Sequence, residues 1–297
     1  MPSIYQLRVF AEVARSGSVR AAAERLVVSQ PAVSAALAAL QRKVGAPLFE
    51  RHGRGLRLTA AGVVLEGHAR RLLALRDQGI EQARAAARQH GGFLRLAAVT
   101  TAGEEILPAL LRRFREGHPQ VGIDLEVGNR SRVWELLANW EIELAMAGRP
   151  PPNRPFRTLA TRPNELVVVG QANDNVHEQS LETLASSTWL VRESGSGTRA
   201  TVEELFARLD LAPQCLTVGS NGAIREGARC GLGIALLARD AIARDLESGL
   251  LRVVPTPLTP LLRPWHVLAH ADRGPTPTAT TFVTFLCENG GFSASNS

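Results

Sequence analysis

Three closely spaced helix signals at the start of the chain constrain its fold more than any other feature. Apolar residues recur at helical spacing over residues 4–14, and Gly17 is placed to end that helix. Ser18 then predicts the cap of a second helix over residues 19–26, and Ser29 predicts the cap of a third. A short helix, a brief turn and a second capped helix are the plan of a helix-turn-helix, whose second helix lies in the major groove of DNA.

The start of the third predicted helix carries side chains that suit contact with DNA. Pro31 falls in the first turn, where its missing amide hydrogen costs little. Gln30 can bond a base edge at two points, and Ser34, one turn further along, reaches a base or a phosphate. The amino terminus of a helix also favours a phosphate. A polar, solvated helix face is the alternative explanation of the same residues.

The positive charge of the chain is concentrated in the same region. The first 60 residues contain nine Lys or Arg and three acidic residues, whereas the remaining residues contain 25 of each kind. The whole formal net charge of +6 therefore belongs to the first fifth of the chain. A basic module joined to a neutral one is typical of a phosphate-binding head on a different functional body. Surface charge that happens to cluster is the alternative.

A basic hairpin is predicted directly after the three helices. Residues 47–59 contain paired glycines, and apolar and polar residues alternate over residues 55–58. This arrangement places Arg51, Arg54 and Arg57 where they contact the DNA backbone or enter the minor groove. The segment is therefore predicted to be a wing.

These residues carry a resemblance to a known family. The stretch AAAERLVVSQPAVSAALAALQRKVGAPLFERHGRGLRLTAAG resembles the DNA-binding domain of LysR-type transcriptional regulators in its SQPAVS helix start, its PLFER segment and its LTxxG entry to the next helix. The resemblance implies a winged helix-turn-helix. Many members carry Arg or another long polar residue after SQPAVS, whereas this chain has Ala35, so more of its specificity is expected from Gln30 and from DNA shape. The predicted DNA-binding residues are Ser29, Gln30, Pro31, Ser34, Arg51, Arg54, Arg57 and Thr59.

A long connecting helix is predicted next. Thr59 is placed to cap it, and no proline interrupts residues 60–90. An apolar stripe follows it at steps of three, four or seven residues, and a partner helix from a second copy is the natural cover for that stripe. LysR-type proteins are similar in pairing through this helix, so the resemblance implies a homodimer or a homotetramer. An amphipathic helix lying on its own domain is the alternative, because the heptad pattern is imperfect.

The remaining residues, 91–297, alternate short apolar runs with helical patterns. Alternation of this kind predicts parallel sheets with covered faces, the α/β class. Proline-rich segments at residues 150–155 and 255–264 interrupt the pattern and are predicted to cross between two lobes. The resemblance extends over the whole chain and implies a two-lobed effector domain similar to periplasmic binding proteins of type 2. Its lobes are expected at about residues 91–161 with 265–297, and at about residues 162–264.

Two loops in this part suit an anion. Val99-Thr100-Thr101-Ala102-Gly103 and the Gly/Ser loop that begins at Arg192 each lead from a strand to a helix start. Ordinary helix capping is the alternative for either loop. These loops, with the VGNR and AGRPP segments, resemble the branch of LysR-type regulators that controls carbon-fixation operons, in which phosphorylated or nucleotide metabolites are effectors. The predicted effector-binding residues are Thr100, Thr101, Asn129, Arg149, Ser194, Gly195, Ser196, Gly197 and Thr198.

Other function classes receive little support. The glycine motifs match neither a dinucleotide fingerprint nor a nucleophile elbow, so an enzyme is not expected. His266 and His270 lie four apart in a predicted strand without a third ligand, and ordinary core or surface histidines are favoured over a metal pair. The three cysteines are expected to be reduced thiols.

The expected partners and setting follow from this reading. Double-stranded operator DNA, a small anionic metabolite and, further, RNA polymerase are the expected partners; no cofactor is expected. Neither a membrane span nor a signal peptide is predicted, which favours a cytoplasmic protein. An architectural DNA binder without a ligand remains the rival to a metabolite-controlled regulator.

Overall fold

The computed structural model describes residues 1–53, 55–87, 92–172 and 181–295. The chain divides into two compact units. One contains residues 1–89 with 139–141, and the other contains residues 90–138 with 142–297. Arg54, predicted to contact DNA, lies outside the described residues.

The first unit is a small helical domain with a two-stranded hairpin, followed by a long helix. Its elements are α1 (Ile4–Ser16), α2 (Val19–Leu26), α3 (Gln30–Val44), β1 (Phe49–His52), β2 (Gly55–Leu58) and α4 (Ala60–Ala87). This is the predicted winged helix-turn-helix with its linker helix, and the prediction is confirmed.

The second and third helices begin where the predicted capping residues place them. The hydroxyl of Ser18 accepts from the amide of Ala21, and that of Ser29 accepts from the amide of Ala32. Gly17 ends α1 at a φ of 63°, in the left-handed region that glycine adopts without strain. The helices enclose one apolar core. Its fully buried side chains include those of Val9, Phe10, Val13, Val33, Leu40 and Leu48.

The hairpin is fixed against the turn between α1 and α2. The amide of Leu56 donates to the carbonyl oxygen of Gly17 at 2.9 Å. A Cβ atom at Gly55 would lie only 3.1 Å from that oxygen, so the close approach favours glycine. This backbone bond and the packing of Phe49, Leu56 and Leu58 against the apolar core hold the hairpin beside the helices.

Helix α4 buries only part of its apolar stripe within the first unit. Thr59 caps it, because its hydroxyl accepts from the amide of Gly62 at 3.0 Å. Leu65 and Ala69 pack into the core of the helical domain. Five large apolar side chains of the same helix remain exposed: Val63, Val64, Leu72, Leu75 and Ile80. No helix in the described ranges is long and apolar enough to cross a membrane.

The second unit is α/β. Its strands are β3 (Phe93–Val99), β4 (Gly122–Gly128), β5 (Leu144–Ala147), β6 (Phe156–Arg162), β7 (Glu165–Gln171), β8 (Trp189–Arg192), β9 (Cys215–Val218), β10 (Ala235–Ala238), β11 (Leu251–Val253), β12 (Leu261–Leu262), β13 (Trp265–His270) and β14 (Ser293–Ala294). Its α-helices are α5 (Leu107–Gly117), α6 (Arg130–Ala138), α7 (Leu181–Ser186), α8 (Gly197–Leu209), α9 (Asn221–Arg229), α10 (Ala243–Glu247) and α11 (Pro277–Asn289). A π-helical turn, Ala102–Ile106, leads into α5.

The strands form two lobes. In the first lobe the order is β14-β6-β13-β5-β3-β4. In the second lobe β7 pairs with β10, β11 and β12, and the β8–β9 pair adjoins β10 through a bridge between Trp189 and Ile234. The predicted strand–helix alternation and two-lobed fold are confirmed, but the sheets are mixed. Strand β3 is parallel to β4 and β5, whereas β13 and β7 are antiparallel to their neighbours.

Two chain crossings join the lobes. One runs from β6 to β7 at residues 162–165, and the other runs from β12 to β13 at residues 262–265. The proline-rich segment at 255–264 contains most of the second crossing. The segment at 150–155 joins β5 to β6, which both flank β13 in one sheet, so the prediction that it crosses between lobes is wrong.

Candidate DNA-reading surface and effector cavity

The amino-terminal turn of α3 presents an exposed polar face. Gln30, Pro31 and Ser34 are exposed, as is Ala35 beside them. Within the described part of the chain the Gln30 and Ser34 side chains make no hydrogen bond, whereas Ser29 is engaged in capping at 3.4 Å from the Ala32 amide. The free amide and hydroxyl groups are therefore available to base edges or phosphates.

The two wing arginines in the described ranges, Arg51 and Arg57, differ in their ion pairing. Arg51 is exposed and has no ion-pair partner among the described residues. Arg57 lies directly opposite Glu50 in the hairpin, and its guanidinium donates to one Glu50 oxygen from Nη2 at 2.6 Å and from Nε at 3.0 Å. Its charge is thus compensated locally. Thr59 serves the hairpin and helix, because its hydroxyl also donates to the carbonyl of Pro47 at 2.8 Å.

A cavity of about 650 Å³ lies between the two lobes of the second unit. Seven of the predicted effector-binding residues line it together: Thr100, Thr101, Asn129, Arg149, Ser196, Gly197 and Thr198. Ser194 and Gly195 do not line it. Ser194 is exposed, and Gly195 adopts a φ of 87° with the position of a Cβ only 3.1 Å from the Ser131 hydroxyl. Gly195 thus lets the second-lobe loop approach the first lobe closely.

Helix α8 begins at this cavity without a side-chain cap. Its N-cap residue Ser196 has extended backbone angles, but its hydroxyl makes no capping bond. The first amides of a helix have no partner inside the helix and carry partial positive charge. Thr101 on the first lobe is not a cap either. Its hydroxyl accepts from the Asn221 amide group at 2.5 Å. Capping therefore does not account for these two loops.

Arg192 organises the cavity from the end of β8. Only 4% of it is exposed. Its guanidinium bonds both carboxylate oxygens of Glu193, and Nη1 donates to the Asn221 side-chain oxygen at 2.6 Å. Nη2 also reaches the Thr100 hydroxyl on the first lobe at 3.4 Å. Hydrogen bonding to Arg192 lowers the pKa of Glu193, so the pair is ionised.

Three further arginines line the cavity, and they differ in how they are paired. Arg263 donates to Glu204 at 2.6 Å. Arg130 and Arg149 have no ion-pair partner in the described ranges. The Arg130 side chain lies against Gly197 at the start of α8, 3.5 Å from the position of a Cβ there. Two uncompensated guanidinium groups and an uncapped helix terminus thus face one cavity.

His266 adds a titrating group to the cavity. Its Nδ1 lies 3.3 Å from the Thr158 hydroxyl. Burial and then the nearby charge of Arg149 lower the pKa of His266. His270 lies four residues further along the same strand. Its Nδ1 accepts a hydrogen bond from the amide of Asp272 at 3.2 Å.

Sequence reasoning missed several lining residues because they come from distant segments. Arg192 and Asn221 each stand at the carboxyl end of a strand, or just beyond it, in the second lobe, which is the edge where ligands of α/β sheets bind. Their place at the cavity was therefore predictable from that rule. The proline-rich segment at 255–264 marked the second crossing, but no pattern marked the first crossing or showed that residues of either crossing line the cavity. These are Asn164, Arg263, Trp265 and His266.

Comparison with known proteins identifies two matching families. Residues 4–63 match the description "Bacterial regulatory helix-turn-helix protein, lysR family", and residues 87–290 match "LysR substrate binding domain". The chain is 35% identical over 289 residues to the HTH-type transcriptional activator CmpR of a Synechocystis strain, covering 96% of this chain and 94% of that one. It is 32% identical to the RuBisCO operon transcriptional regulator of Acidithiobacillus ferrooxidans, with 96% and 93% covered.

A solved structure is similar to the second unit. The regulatory domain of CcmR from Synechocystis PCC6803, in complex with 2-PG, aligns with a TM-score of 0.63 at 28% identity over 67% of this chain and 97% of that one. The named relatives are transcriptional regulators and not enzymes. The two family matches cover nearly the whole length of a winged helix-turn-helix joined to a two-lobed domain, and the chain therefore belongs to the LysR family of DNA-binding transcriptional regulators.

Proposed function

We propose that this regulator controls operons of carbon assimilation and that a small anionic metabolite in the interlobe cavity switches it. The relative that supports the first part is the RuBisCO operon transcriptional regulator, which is matched over 93% of its length. The observation that carries the second part is that Arg130 and Arg149, which have no ion-pair partner in the described ranges, line the same cavity as the uncapped start of α8. Guanidinium groups and free helix amides together recognise phosphate and carboxylate.

Binding between the lobes provides a route to switching. Several bonds already cross from one lobe to the other, including Arg192 to Thr100, Asn221 to Thr101 and Arg225 to Glu105 at 3.2 Å. An anion held by Arg130 of the first lobe and by the α8 amides of the second adds to these bonds only when the lobes are close. Such a ligand favours the closed arrangement by its difference in affinity for the two arrangements.

Titration of 2-PG and of inorganic phosphate into the full-length protein tests the cavity. We expect binding by calorimetry and a raised melting temperature, since a ligand that binds only the folded state stabilises it by mass action. Arg130→Gln and Arg149→Gln should each weaken binding about 10-fold or more, because charged hydrogen bonds are worth roughly 1.5–3 kcal/mol.

Arg208→Gln is the matched control, because Arg208 is an exposed arginine of α8 outside the cavity lining. The affinity of Arg208→Gln for 2-PG and for inorganic phosphate should equal that of the parent protein. Equal binding by all four proteins would contradict the cavity assignment. Absence of any stabilisation by either anion would instead support an architectural DNA binder.

The DNA-binding half of the proposal assigns base reading to Gln30 and Ser34 and backbone contact to the arginines of the wing. We assign residues 1–59 to the DNA-binding domain, 60–90 to the linker helix and 91–297 to the effector domain. Sequencing the DNA fragments that the purified protein retains, with and without 2-PG, tests both the operator and its dependence on the anion. Fragments without a shared motif would contradict sequence-specific binding.

Pairing of two copies through α4 completes the proposal. Val64, Leu72 and Ile80 are exposed apolar residues on this helix, and burying such side chains is worth roughly 1.5–3 kcal/mol each. Light scattering should give a dimer or a tetramer, and Leu72→Glu should lower the mass. A monomeric parent protein would contradict the assignment. We further propose RNA polymerase as a partner and the cytoplasm as the location of this regulator.

A further inference from the structure

Glu204 is the single acidic residue among the described residues that line the interlobe cavity. Four arginines line the same cavity. Two of them are paired, Arg192 with Glu193, which does not line the cavity, and Arg263 with Glu204. A cavity that binds anions would attract them more strongly without this carboxylate, because like charges repel. A role other than general attraction of anions therefore has to explain why Glu204 lies there.

Helix α8 separates Glu204 from the uncapped helix start. Gly197, Ala200, Thr201 and Glu204 all line the cavity. Their spacing of three, four and seven residues puts them on one face of the helix. At a rise of about 1.5 Å per residue, Glu204 lies about 10 Å beyond Gly197 along the helix axis. The free amides, with the Arg130 side chain against Gly197, are thus at one end of this face, and the carboxylate is two turns away.

The second lobe crossing holds the partner of Glu204 in place. The Arg263 amide donates to the carbonyl of Asn164 at 2.9 Å, and the Asn164 side-chain nitrogen donates to the carbonyl of Arg263 at 2.8 Å. The Arg263 guanidinium donates from Nη2 to Oε2 of Glu204 at 2.6 Å. The side chains of Arg263 and Glu204 remain accessible, at 37% and 52% exposed. A molecule in the cavity can therefore contact this pair, but the charge of Arg263 is already compensated there.

We propose that Glu204 is a specificity-determining residue, which restricts the effector to a molecule that carries its acidic groups at one end. The inference rests on the proposed function, because it assumes that an acidic group binds Arg130 and the start of α8. A second phosphate about 10 Å further along the helix meets the carboxylate of Glu204 and finds no free guanidinium at Arg263. An uncharged end meets no such repulsion. The chemical class expected in the cavity is therefore a compact organic phosphate or acid, and an elongated bisphosphate is rejected.

A matched pair of probes tests this role. Pentyl phosphate and pentane-1,5-diyl bisphosphate share a five-carbon chain and one phosphate, and only the second carries a phosphate at its other end. Calorimetric titration of the full-length protein should show pentyl phosphate binding at least about threefold more tightly. Glu204→Gln keeps the size of the side chain and removes its charge. It should raise affinity for the bisphosphate about 10-fold, because Arg263 is then free to bond a phosphate, and affinity for pentyl phosphate about twofold or less.

Glu203→Gln is the matched control. Glu203 lies next to Glu204 on α8 and also forms an ion pair, with Arg199 at 2.8 Å, but neither member of that pair lines the cavity. The preference of Glu203→Gln between the two probes should equal that of the parent. Adding Arg263→Gln to Glu204→Gln should abolish the gain in bisphosphate affinity, which would assign the gain to the freed guanidinium. Exposed ion pairs contribute little to stability, so all of these variants should fold.

The outcomes separate this inference from the proposed function. Equal or tighter binding of the bisphosphate by the parent, with pentyl phosphate binding still weakened by Arg130→Gln, would overturn the role of Glu204 and leave the anion cavity standing. Equal gains for both probes in Glu204→Gln would also overturn it, since the carboxylate would then act only through the overall charge of the cavity. Unchanged affinities in Glu204→Gln would make the pair with Arg263 an ordinary surface ion pair. Failure of every variant and of the parent to bind either probe or 2-PG would overturn the anion cavity, and the specificity role with it.

Discussion

The amino-terminal turn of α3 and the interlobe cavity both present polar groups, but the α3 groups are exposed, whereas the cavity arginines range from the exposed Arg149 to the buried Arg192. Gln30 and Ser34 are exposed to solvent, whereas Arg192 in the cavity is 4% exposed. Charges in water interact weakly and are screened by salt, while buried charges are screened far less. We therefore expect recognition in the head to be spread over many small contacts, and recognition in the cavity to depend on fewer groups.

The sharpest test of this contrast is Arg192→Gln. Arg192 bonds Asn221 on one lobe and Thr100 on the other, so its loss removes one of the bonds between the lobes as well as a charge. We expect 2-PG binding to weaken on the order of 100-fold, or about 2.8 kcal/mol, measured by calorimetry. DNA affinity without the anion should stay within about twofold. Loss of less than about threefold would show that the cavity, too, spreads its binding over many residues.

The next largest effect is expected in the head, from Gln30→Ala. A bidentate contact between an amide side chain and a base is worth roughly 1–3 kcal/mol of discrimination. The preference for the operator over a variant with one changed base pair should fall by that amount at a single position. Affinity for random DNA should change little. Competition binding against single-base operator variants measures it. Equal losses on operator and random DNA would reject a base-reading role and make Gln30 a phosphate contact.

Much of the head was predictable because its signals are local. Ser18, Ser29 and Gly17 lie within a few residues of the helix ends they determine, and the structure places those ends accordingly. One exception is Val27, which ends α2 at a φ of 55° although β-branched residues rarely adopt that conformation. Nothing in the sequence pattern marks it, because the turn between α2 and α3 imposes the backbone angle.

The cavity was predictable only in part because its contacts are not local. Its glycine and threonine loops were recognisable, since each joins a strand to a helix. The bond between Arg192 and Thr100 spans 92 positions, and the places of Asn164 and Trp265 in the lining depend on where the chain crosses between the lobes. Such long-range geometry follows from how the lobes pack, which no short window of residues encodes.

The lowered pKa of His266 predicts that the stability of the protein depends on pH. Burial and Arg149 lower the folded-state pKa of His266 below the ordinary 6.5. The unfolded chain then binds more protons just below pH 6.5, so His266 should cost stability as the pH falls through that window. Thermal unfolding between pH 8 and pH 5 should show a larger loss for the parent than for His266→Gln.

The parent protein must be compared with His266→Gln because the buried Glu143 changes the pH dependence of stability in the opposite direction. Desolvation raises the pKa of Glu143, so that carboxyl should add stability as the pH falls toward its folded-state pKa. Glu143 is present in both proteins, and its contribution cancels in the difference. Identical pH profiles for the parent and His266→Gln would contradict the predicted shift at His266.

Exposed charge in the wing should have smaller effects, which depend on salt. Arg51→Ala removes an exposed arginine without an ion-pair partner in the described ranges. Affinity should fall severalfold for all sequences alike, and the slope of log affinity against log salt should become shallower by about 0.9. Binding at several salt concentrations measures the slope. An unchanged slope would place Arg51 away from the phosphates.

The smallest expected effect is a gain, from Glu50→Gln. Arg57 is bonded to Glu50 across the hairpin, and both side chains are largely exposed, at 64% and 47%. Such surface pairs contribute only about 0–1 kcal/mol to stability, so removing the carboxylate should leave folding nearly intact. It also removes a negative charge from a surface that meets DNA and frees Arg57 for a phosphate. Affinity for random DNA should therefore rise about two- to threefold at low salt, with a steeper salt dependence. Glu24→Gln is a suitable control, because Glu24 forms a similar ion pair with Arg20 at a still more exposed site on α2. If Glu50→Gln weakened binding instead, Glu50 would be the residue that orients Arg57 toward DNA, and the wing would resemble the cavity in depending on a preorganised pair.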